Sequence, residues 1–148
     1  AKDFIIDEKQ IVRSRNAGAT VILLIVAALP EARLKELYDF ATSLGLEVLI
    51  ETHNLPELEV AHRIGAEIIG VNNRNLKDFS MDTDNSRRLR AFIPRDVLFV
   101  SESGVKEPED VAKIREIGAD AVLIGETLMR SPDKKAMLET LNGKPLSR

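Results

Sequence analysis

The sequence predicts an α/β fold in which short parallel strands alternate with helices. Six runs rich in β-branched and aliphatic residues recur along the chain, at residues 4–6, 20–27, 47–51, 67–71, 97–101 and 121–125. These runs are too short for helices and almost continuously apolar, which is typical of strands covered on both faces of a parallel sheet. A chain of 148 residues is long enough for one domain with a buried core.

Apolar stripes at helical spacing predict the helices between these runs. The longest stripe lies between the second and third runs and consists of Leu34, Leu37, Tyr38, Ala41 and Leu44. A shorter stripe follows the third run and consists of Leu58, Ala61 and Ile64. We therefore expect six helical segments to alternate with the six strands.

Residues at the segment ends predict the same boundaries. Asp7 with Gln10, and Asn54 with Glu57, have the spacing of a capping box at a helix N-terminus. Three prolines occupy positions typical of a first helical turn: Pro30, Pro108 and Pro132. Four glycines each follow a helical segment and precede a strand, as helix-terminating glycines do: Gly18, Gly45, Gly65 and Gly118.

Two architectures contain such repeated units, an open doubly wound sheet and part of a closed (β/α)8 barrel. A doubly wound nucleotide-binding sheet usually has a glycine-rich turn after its first strand, and FIIDEKQ contains no glycine. This favours the barrel. We expect residues 1–148 to form a single partial barrel with six βα units, lacking the N-terminal strands 1 and 2, and residues 142–148 to form a flexible tail. Because the sequence opens at Ala1 without a methionine, we expect a fragment or a processed piece.

Composition and charge exclude several classes of protein. The net charge is −3 and the basic residues are spread along the chain, so we expect no nucleic-acid partner. The apolar run at residues 21–29 is far shorter than the roughly 20 residues that span a bilayer, so we expect no membrane association. Without a signal-peptide pattern, the expected location is the cytoplasm. There is no cysteine, and His53 and His62 lack convergent partners, so we expect no metal site.

Polar residues that end the predicted strands form a candidate site, because function lies at the carboxyl ends of the strands in both architectures. These residues are Glu51, Asn72, Glu102, Ser103 and Gly125, with Lys2 just before the first run. Glu51 and Glu102 directly follow aliphatic runs, where burial would raise a carboxyl pKa toward values useful in acid–base catalysis. Solvated or helix-capping carboxylates at the same positions remain an equal alternative.

Two glycine-containing turns predict a phosphate site. Barrels commonly hold phosphate with the loops after strands seven and eight and a helix N-terminus. Ser103 and Gly104 follow the fifth run, and Gly125 ends the sixth. Either glycine alone would be interpreted as an ordinary turn residue, but the pair on successive strands favours phosphate binding.

Six motifs in a fixed order then identify a family. They are KDFIID, LLIVAAL, EVLIETH, IIGVNNRNL, SESGV and AVLIGETLM. Together they closely resemble the indole-3-glycerol phosphate synthase family of tryptophan biosynthesis, over the whole chain except the NGKPLSR tail. The resemblance implies a (β/α)8 barrel of which this chain supplies strand three through helix eight. It also implies a lyase that closes an indole ring from a carboxyphenylamino-deoxyribulose phosphate, losing carbon dioxide and water, without cofactor or metal.

The resemblance assigns roles to the candidate residues. It implies that Lys2 is a general acid on the substrate's carbonyl oxygen and that Glu51 performs acid–base work in the dehydration. The implied substrate-binding residues are Asn72, Arg74, Glu102 and Leu23. The implied phosphate-binding residues are Ser103, Gly104, Gly125 and Glu126.

Members of the family carry two further strands before the KDF motif, the first with an E-x-K pattern that is absent here. We therefore expect little or no synthase activity from this chain alone. Open sheet edges predict self-association or pairing with the missing barrel strands. Two alternatives stay open: another phosphate-binding barrel such as phosphoribosylanthranilate isomerase, against which KDF, NNRNL and ESG argue, and a non-catalytic folding or assembly module.

Overall fold

The computed structural model describes residues 1–75 and 78–143. The helices are α1 (Glu8–Asn16), a 3₁₀ turn (Val26–Ala28), α2 (Glu31–Ser43), α3 (Leu55–Arg63), α4 (Asn85–Arg90), α5 (Pro108–Glu116), α6 (Glu126–Arg130) and α7 (Lys134–Asn142). The strands are β1 (Val21–Ile25), β2 (Glu47–Thr52), β3 (Ile68–Asn72), β4 (Leu98–Glu102) and β5 (Ala121–Leu123). Within these residues, each helix is too short or too polar to pass through a bilayer.

The strands form one parallel sheet in the sequential order β1-β2-β3-β4-β5. A doubly wound sheet reverses its strand order at a switch point, whereas consecutive strands of a barrel are neighbours throughout. The order seen here contains no reversal. The structure therefore confirms the predicted barrel arrangement and excludes the doubly wound alternative.

The predicted strand at residues 4–6 is wrong. The backbone N–H of Phe4 donates to Asp3 Oδ1, and that of Ile6 donates to Gln10 Oε1 at 2.8 Å. Gln10 Nε2 in turn donates to the carbonyl of Phe4 at 2.9 Å. Local side chains thus satisfy the backbone groups that a strand would offer to β1. Only Ile5 of this run is buried, so the segment contributes one core side chain without joining the sheet.

Helix boundaries follow the predicted caps with three corrections, the first being that Asn54 caps α3 but forms no full capping box, because Glu57 accepts from the N–H of His53. The capping box of Asp7 and Gln10 and the first-turn position of Pro108 are confirmed. Pro30, however, is the N-cap of α2, and Pro132 precedes the N-cap of α7. The four predicted helix-terminating glycines all have positive φ, as expected.

The last predicted helical segment is divided into α6 and α7, so the described residues contain seven α-helices rather than six. Ser131 is extended, with ψ 134°, because the proline that follows disfavours the helical conformation. Of the predicted tail at residues 142–148, Asn142 ends α7 and Gly143 caps it in the left-handed conformation. Residues 144–148 lie outside the described residues.

The two faces of the sheet carry different side chains, because successive residues of a strand point to opposite faces. One face packs against the helices and forms the helix-facing cluster, which includes Ile22, Leu24, Leu34, Leu37, Ile50, Leu58, Ile69 and Phe99. The opposite, inward face carries a smaller cluster of Leu23, Ile25, Leu49 and Val100. Polar residues occupy the carboxyl ends of the strands on this inward face.

Candidate functional site

Three polar side chains from consecutive strands meet on the inward face of the sheet. Glu51 of β2 is in register with Gly70 of β3, and Asn72 of β3 is in register with Glu102 of β4. The two glutamates are 1% exposed and the asparagine is 6% exposed. The strand order therefore brings together residues that the sequence separates by 21 and 30 positions.

Glu51 is surrounded by groups that stabilise its ionised form. Asn72 Nδ2 donates to Glu51 Oε1 at 2.9 Å, and His53 Nε2 lies 3.1 Å from the same oxygen. Lys2 Nζ lies 3.9 Å from Glu51 Oε2. Burial alone would raise the pKa of Glu51, but interactions with His53, Asn72 and Lys2 outweigh it, and the pKa is lowered. Glu51 is therefore an ionised carboxylate at neutral pH.

The surroundings of Glu102 favour its protonated form, in contrast to those of Glu51. Neither of its side-chain oxygens has a hydrogen-bond partner among the described residues. Burial, followed by the negative charge of Glu51, raises the pKa of Glu102 to about 8. The site thus contains one ionised and one protonated carboxyl group at pH 7, the division of states that acid–base chemistry requires.

Gly70 creates the space that Glu102 occupies. A Cβ atom at Gly70 would lie 1.9 Å from Glu102 Oε1 and 3.2 Å from Leu49 Cδ1. The first distance is shorter than side chains tolerate in a close-packed interior, and the second would require Leu49 to shift slightly. The absence of a side chain on β3 therefore determines where the carboxyl group of the neighbouring strand lies.

His53 belongs to this site, although the sequence analysis considered it only as a metal ligand. Its Nδ1 lies 2.9 Å from Glu57 Oε2, and its backbone N–H donates to the same oxygen at 2.8 Å. Burial alone would lower the pKa of His53, but Glu51 and Glu57 raise it to about 9. The described residues contain no group of side chains suited to hold a metal ion. The available signal was the spacing, with His53 two residues after Glu51 and four before Glu57.

A cleft of 680 Å³ is lined by Asn72, the hydrogen-bond partner of Glu51, but not by Glu51 or Glu102 themselves. Seven of the predicted site residues line it: Lys2, Asn72, Arg74, Ser103, Gly104, Gly125 and Glu126. Ser103 and Gly104 both have positive φ, 65° and 88°. Gly125 is the N-cap of α6, and Glu126 is its first residue. The structure thus places the two predicted phosphate turns beside one another at the carboxyl edge of the sheet.

Two predicted residues have unexpected surroundings. Leu23 is not among the residues that line the cleft, and it is almost fully buried in the inward cluster, in register with Leu49. Arg74 Nη2 lies 2.6 Å from Glu126 Oε2, and Arg130 Nε lies 3.0 Å from Glu126 Oε1. These interactions, that with Arg74 first, lower the pKa of Glu126. The Arg74–Glu126 ion pair joins the loop after β3 to the start of α6.

The sequence matches a family model described as indole-3-glycerol phosphate synthase over residues 1–141. The chain belongs to the indole-3-glycerol phosphate synthase family. This confirms the family that the six motifs predicted.

Curated relatives carry the same family name. The chain is 68% identical over 129 residues to the indole-3-glycerol phosphate synthase of Streptococcus thermophilus (strain CNRZ 1066), an overlap of 87% of this chain and 50% of the relative. It is 65% identical over 131 residues to the indole-3-glycerol phosphate synthase of Streptococcus mutans, covering 88% of this chain and 51% of the relative. The chain spans about half the length of the curated relatives it matches.

Solved structures with low sequence identity share the fold. The 3-hexulose-6-phosphate synthase from Salmonella typhimurium has a TM-score of 0.77 at 14% identity, over 94% of this chain and 68% of that one. The N-acetylmannosamine-6-phosphate 2-epimerase from Clostridium perfringens has a TM-score of 0.71 at 15% identity, over 93% of this chain and 62% of that one. At these identities the likeness shows the fold alone.

A buried network around Asn73 holds the Ser103–Gly104 turn of this synthase-family chain. Asn73 Nδ2 donates to the carbonyl of Ser103 at 3.1 Å. Asn73 Oδ1 accepts from the backbone N–H and the hydroxyl of Ser86, at 3.0 and 2.9 Å. One side chain thus connects the end of β3, helix α4 and the turn after β4. Its hydrogen bonds support the positive φ of Ser103, which a residue with a Cβ atom rarely adopts.

Proposed function

We propose that this chain carries the acid–base and phosphate-binding part of an indole-3-glycerol phosphate synthase site. The observation that carries the proposal is the pair of buried carboxyl groups in opposite protonation states, one of them hydrogen-bonded to Asn72, which lines a cleft rich in cations. Four basic side chains and one acidic side chain are among the described residues that line this cleft: Lys2, Arg74, Lys106, Arg130 and Glu126. A phosphorylated small molecule is the class of substrate that such a cleft suits.

Ring closure begins when an aromatic ring carbon attacks the carbonyl carbon of the carboxyphenylamino-deoxyribulose phosphate. As the new carbon–carbon bond forms, the carbonyl oxygen takes a proton from the Lys2 ammonium group, which lines the cleft. The carboxylate leaves the ring as carbon dioxide, and its bonding electrons restore the aromatic system. The product of this step is an alcohol at the former carbonyl carbon.

Dehydration of this alcohol completes the indole ring. The hydroxyl group takes a proton from Lys2, whose exposed amine has regained one from solvent, and leaves as water, while a base accepts the proton released when the double bond forms. Glu51 is ionised and suited to be that base, since the pKa of its carboxyl group is lowered. Glu102 is protonated at pH 7 and suited to donate a hydrogen bond to a substrate hydroxyl group. The two carboxyl groups thereby perform different tasks.

Phosphate binding is assigned to the backbone N–H groups of Gly104, Gly125 and Glu126, since the N–H of Ser103 already donates to the carbonyl of Leu123 at 3.2 Å. Backbone donors in turns with positive φ form concave sites for anions. Arg74 contributes positive charge beside the second turn, where it is paired with Glu126.

Replacing Gly104 by alanine tests this site. Gly104 has φ +88°, and an added Cβ would lie 3.1 Å from Thr83 Cγ2, so we expect the turn to change and the affinity for inorganic phosphate to fall about tenfold or more. Isothermal titration calorimetry with inorganic phosphate measures the effect. Gly18→Ala is the matched control, since Gly18 has φ +92° with nothing within 4 Å of an added Cβ. Equal losses in both variants, or no saturable binding by the unsubstituted chain, would contradict the proposal.

We also propose that the open sheet associates with a second copy of the chain when no other strand covers it. Within the described residues, β1 and β5 each pair with one neighbour only. A groove of 410 Å³ runs beside β5 and is lined largely by apolar residues, including Val111, Val122, Ile124, Leu138 and Leu141. Unpaired edges and exposed apolar surface both favour association. We expect light scattering at micromolar concentration to give at least a dimer, and a stable monomer would count against this proposal.

A further inference from the structure

The imidazole of His53 is fixed by the first turn of helix α3. Asn54 is the N-cap of this helix, and its side chain exchanges two hydrogen bonds of 3.0 Å with Glu57, one to the backbone N–H and one to Oε1. Glu57 Oε2 is then free to hold both the backbone N–H and Nδ1 of His53. The carbonyl of His53 accepts a further hydrogen bond from Asn85 Nδ2 at 3.0 Å. Two hydrogen bonds thus fix the backbone of His53 and one fixes its ring, and its Nε2 lies 3.1 Å from Glu51 Oε1.

We infer that His53, held by Glu57, is a positioning residue that keeps Glu51 ionised and so directs the single proton of the carboxyl pair to Glu102. This inference deepens the proposed function, and it rests on Glu51 acting as the base. It assigns to His53 and Glu57 the choice of which carboxyl group is the base and which is the hydrogen-bond donor.

Four charged or titratable groups lie around Glu51: Lys2, His53, Glu57 and Glu102. The distance and exposure of each group determine how strongly it affects the charge of Glu51. Lys2 also lies near Glu51, but its side chain is 58% exposed and 3.9 Å away, so water screens it. The side chain of His53 is 13% exposed and lies 3.1 Å from Glu51. Charges interact more strongly at shorter distance and lower effective dielectric constant. His53 is consequently the dominant positive neighbour of Glu51, with Glu57 behind it and Glu102 on the adjacent strand.

The contact between His53 and Glu51 leaves two buried polar atoms without a hydrogen bond in the part of the chain that the structure describes. His53 Nε2 and Glu51 Oε2 have no hydrogen-bond partner among the described residues, although both are buried. His53 therefore stabilises the negative charge mainly through its proximity to Oε1. The second oxygen of Glu51 receives no hydrogen bond from His53, and Lys2 Nζ lies 3.9 Å from it.

Replacing His53 by glutamine in the full chain tests the inference. Carbon-13 NMR of the side-chain carboxyl groups measures the titration midpoints of Glu51 and Glu102. We expect the Glu51 midpoint to rise by about one pH unit or more, since an opposite charge within 4–6 Å typically shifts a carboxyl pKa by 1–3 units. His62→Gln is the matched control, because His62 lies exposed on α3, the helix that follows His53. An unchanged Glu51 midpoint in a folded His53→Gln variant would overturn the inference.

A second variant keeps the test decisive if His53→Gln does not fold. Glu57→Gln retains a hydrogen-bond acceptor but removes the charge that holds the imidazolium. We expect the His53 midpoint to fall from about 9 toward its ordinary value and the Glu51 midpoint to rise in parallel. Movement of His53 without movement of Glu51 would contradict the coupling. Phosphate titration of the unsubstituted chain separates the two proposals. If that chain does not bind phosphate, the proposed function is refuted, but the titration midpoints of Glu51 and His53 are unaffected.

Discussion

Replacing Gly70 by alanine is expected to displace the carboxyl group of Glu102 and to lower the free energy of unfolding by about 1–3 kcal/mol, the usual cost of overpacking a core. The added Cβ would lie 1.9 Å from Glu102 Oε1 and 3.0 Å from Glu102 Cδ, so the glutamate has to rotate within an interior that leaves it 1% exposed. Urea denaturation measures the loss of stability. The Glu102 carboxyl titration should move away from about pH 8 in the same variant.

The double variant Gly70→Ala with Glu102→Ala distinguishes this clash from other effects of the substitution. If the contact is responsible, removal of the glutamate side chain relieves the strain, and the alanine at position 70 costs less in the double variant than alone. The difference is a coupling energy between two residues in direct contact. Strictly additive changes in the free energy of unfolding would contradict the proposed clash, because two independent sites give additive effects.

Replacing Glu102 by glutamine is expected to stabilise the protein at high pH more than at low pH. The pKa of Glu102 is raised from 4.5 to about 8 by folding, so between these values the folded chain holds a proton that the unfolded chain has lost. The contribution of this group to stability is therefore complete below pH 4.5 and is lost as the pH rises to about 8. Glutamine does not titrate. We expect its stabilising effect to be on the order of 2–4 kcal/mol greater at pH 8.5 than at pH 5.

Urea denaturation of both proteins at these two pH values measures the difference. His53 also loses stabilising interactions as the pH rises from 6.5 to about 9, and it remains in both proteins. The difference between the two curves therefore isolates Glu102. Curves that run parallel between pH 5 and pH 8.5 would show that Glu102 is ionised in the folded chain.

Strand-end residues were predictable because the apolar runs define where each strand stops. Asn72 and Glu102 end β3 and β4, and parallel neighbours bring their carboxyl ends to one edge. The two glycine turns were predictable for the same reason, and both line the cleft. The motifs added Arg74, which no periodicity would have selected.

The protonation states were not predictable, because Glu51 and Glu102 have nearly identical local sequences. Each lies at the carboxyl end of a largely apolar strand, Glu51 as the next-to-last residue of β2 and Glu102 as the last residue of β4, and contacts with other elements distinguish them. Glu51 has Asn72 and His53 as neighbours, whereas Glu102 occupies the apolar space above Gly70. These contacts depend on register and side-chain direction, which a single sequence does not specify.

The failed strand at residues 4–6 shows a different limit. An apolar run is compatible with a strand but does not compel one, because the chain requires only that its backbone groups find partners. Asp3 and Gln10 supply those partners within a few residues. Side-chain competition of this kind leaves the hydrophobic pattern unchanged, so periodicity does not reveal it.

The two faces of the sheet carry different sets of residues, and natural selection can change one set independently of the other. The helix-facing cluster contains none of the residues assigned to acid–base chemistry or phosphate binding. Substitutions in that cluster can therefore raise or lower thermal tolerance in one lineage while the reactive groups on the reverse of the same strands stay as they are. Changes in substrate choice have the complementary freedom, since the residues assigned to binding lie at the strand ends and in the turns that follow them.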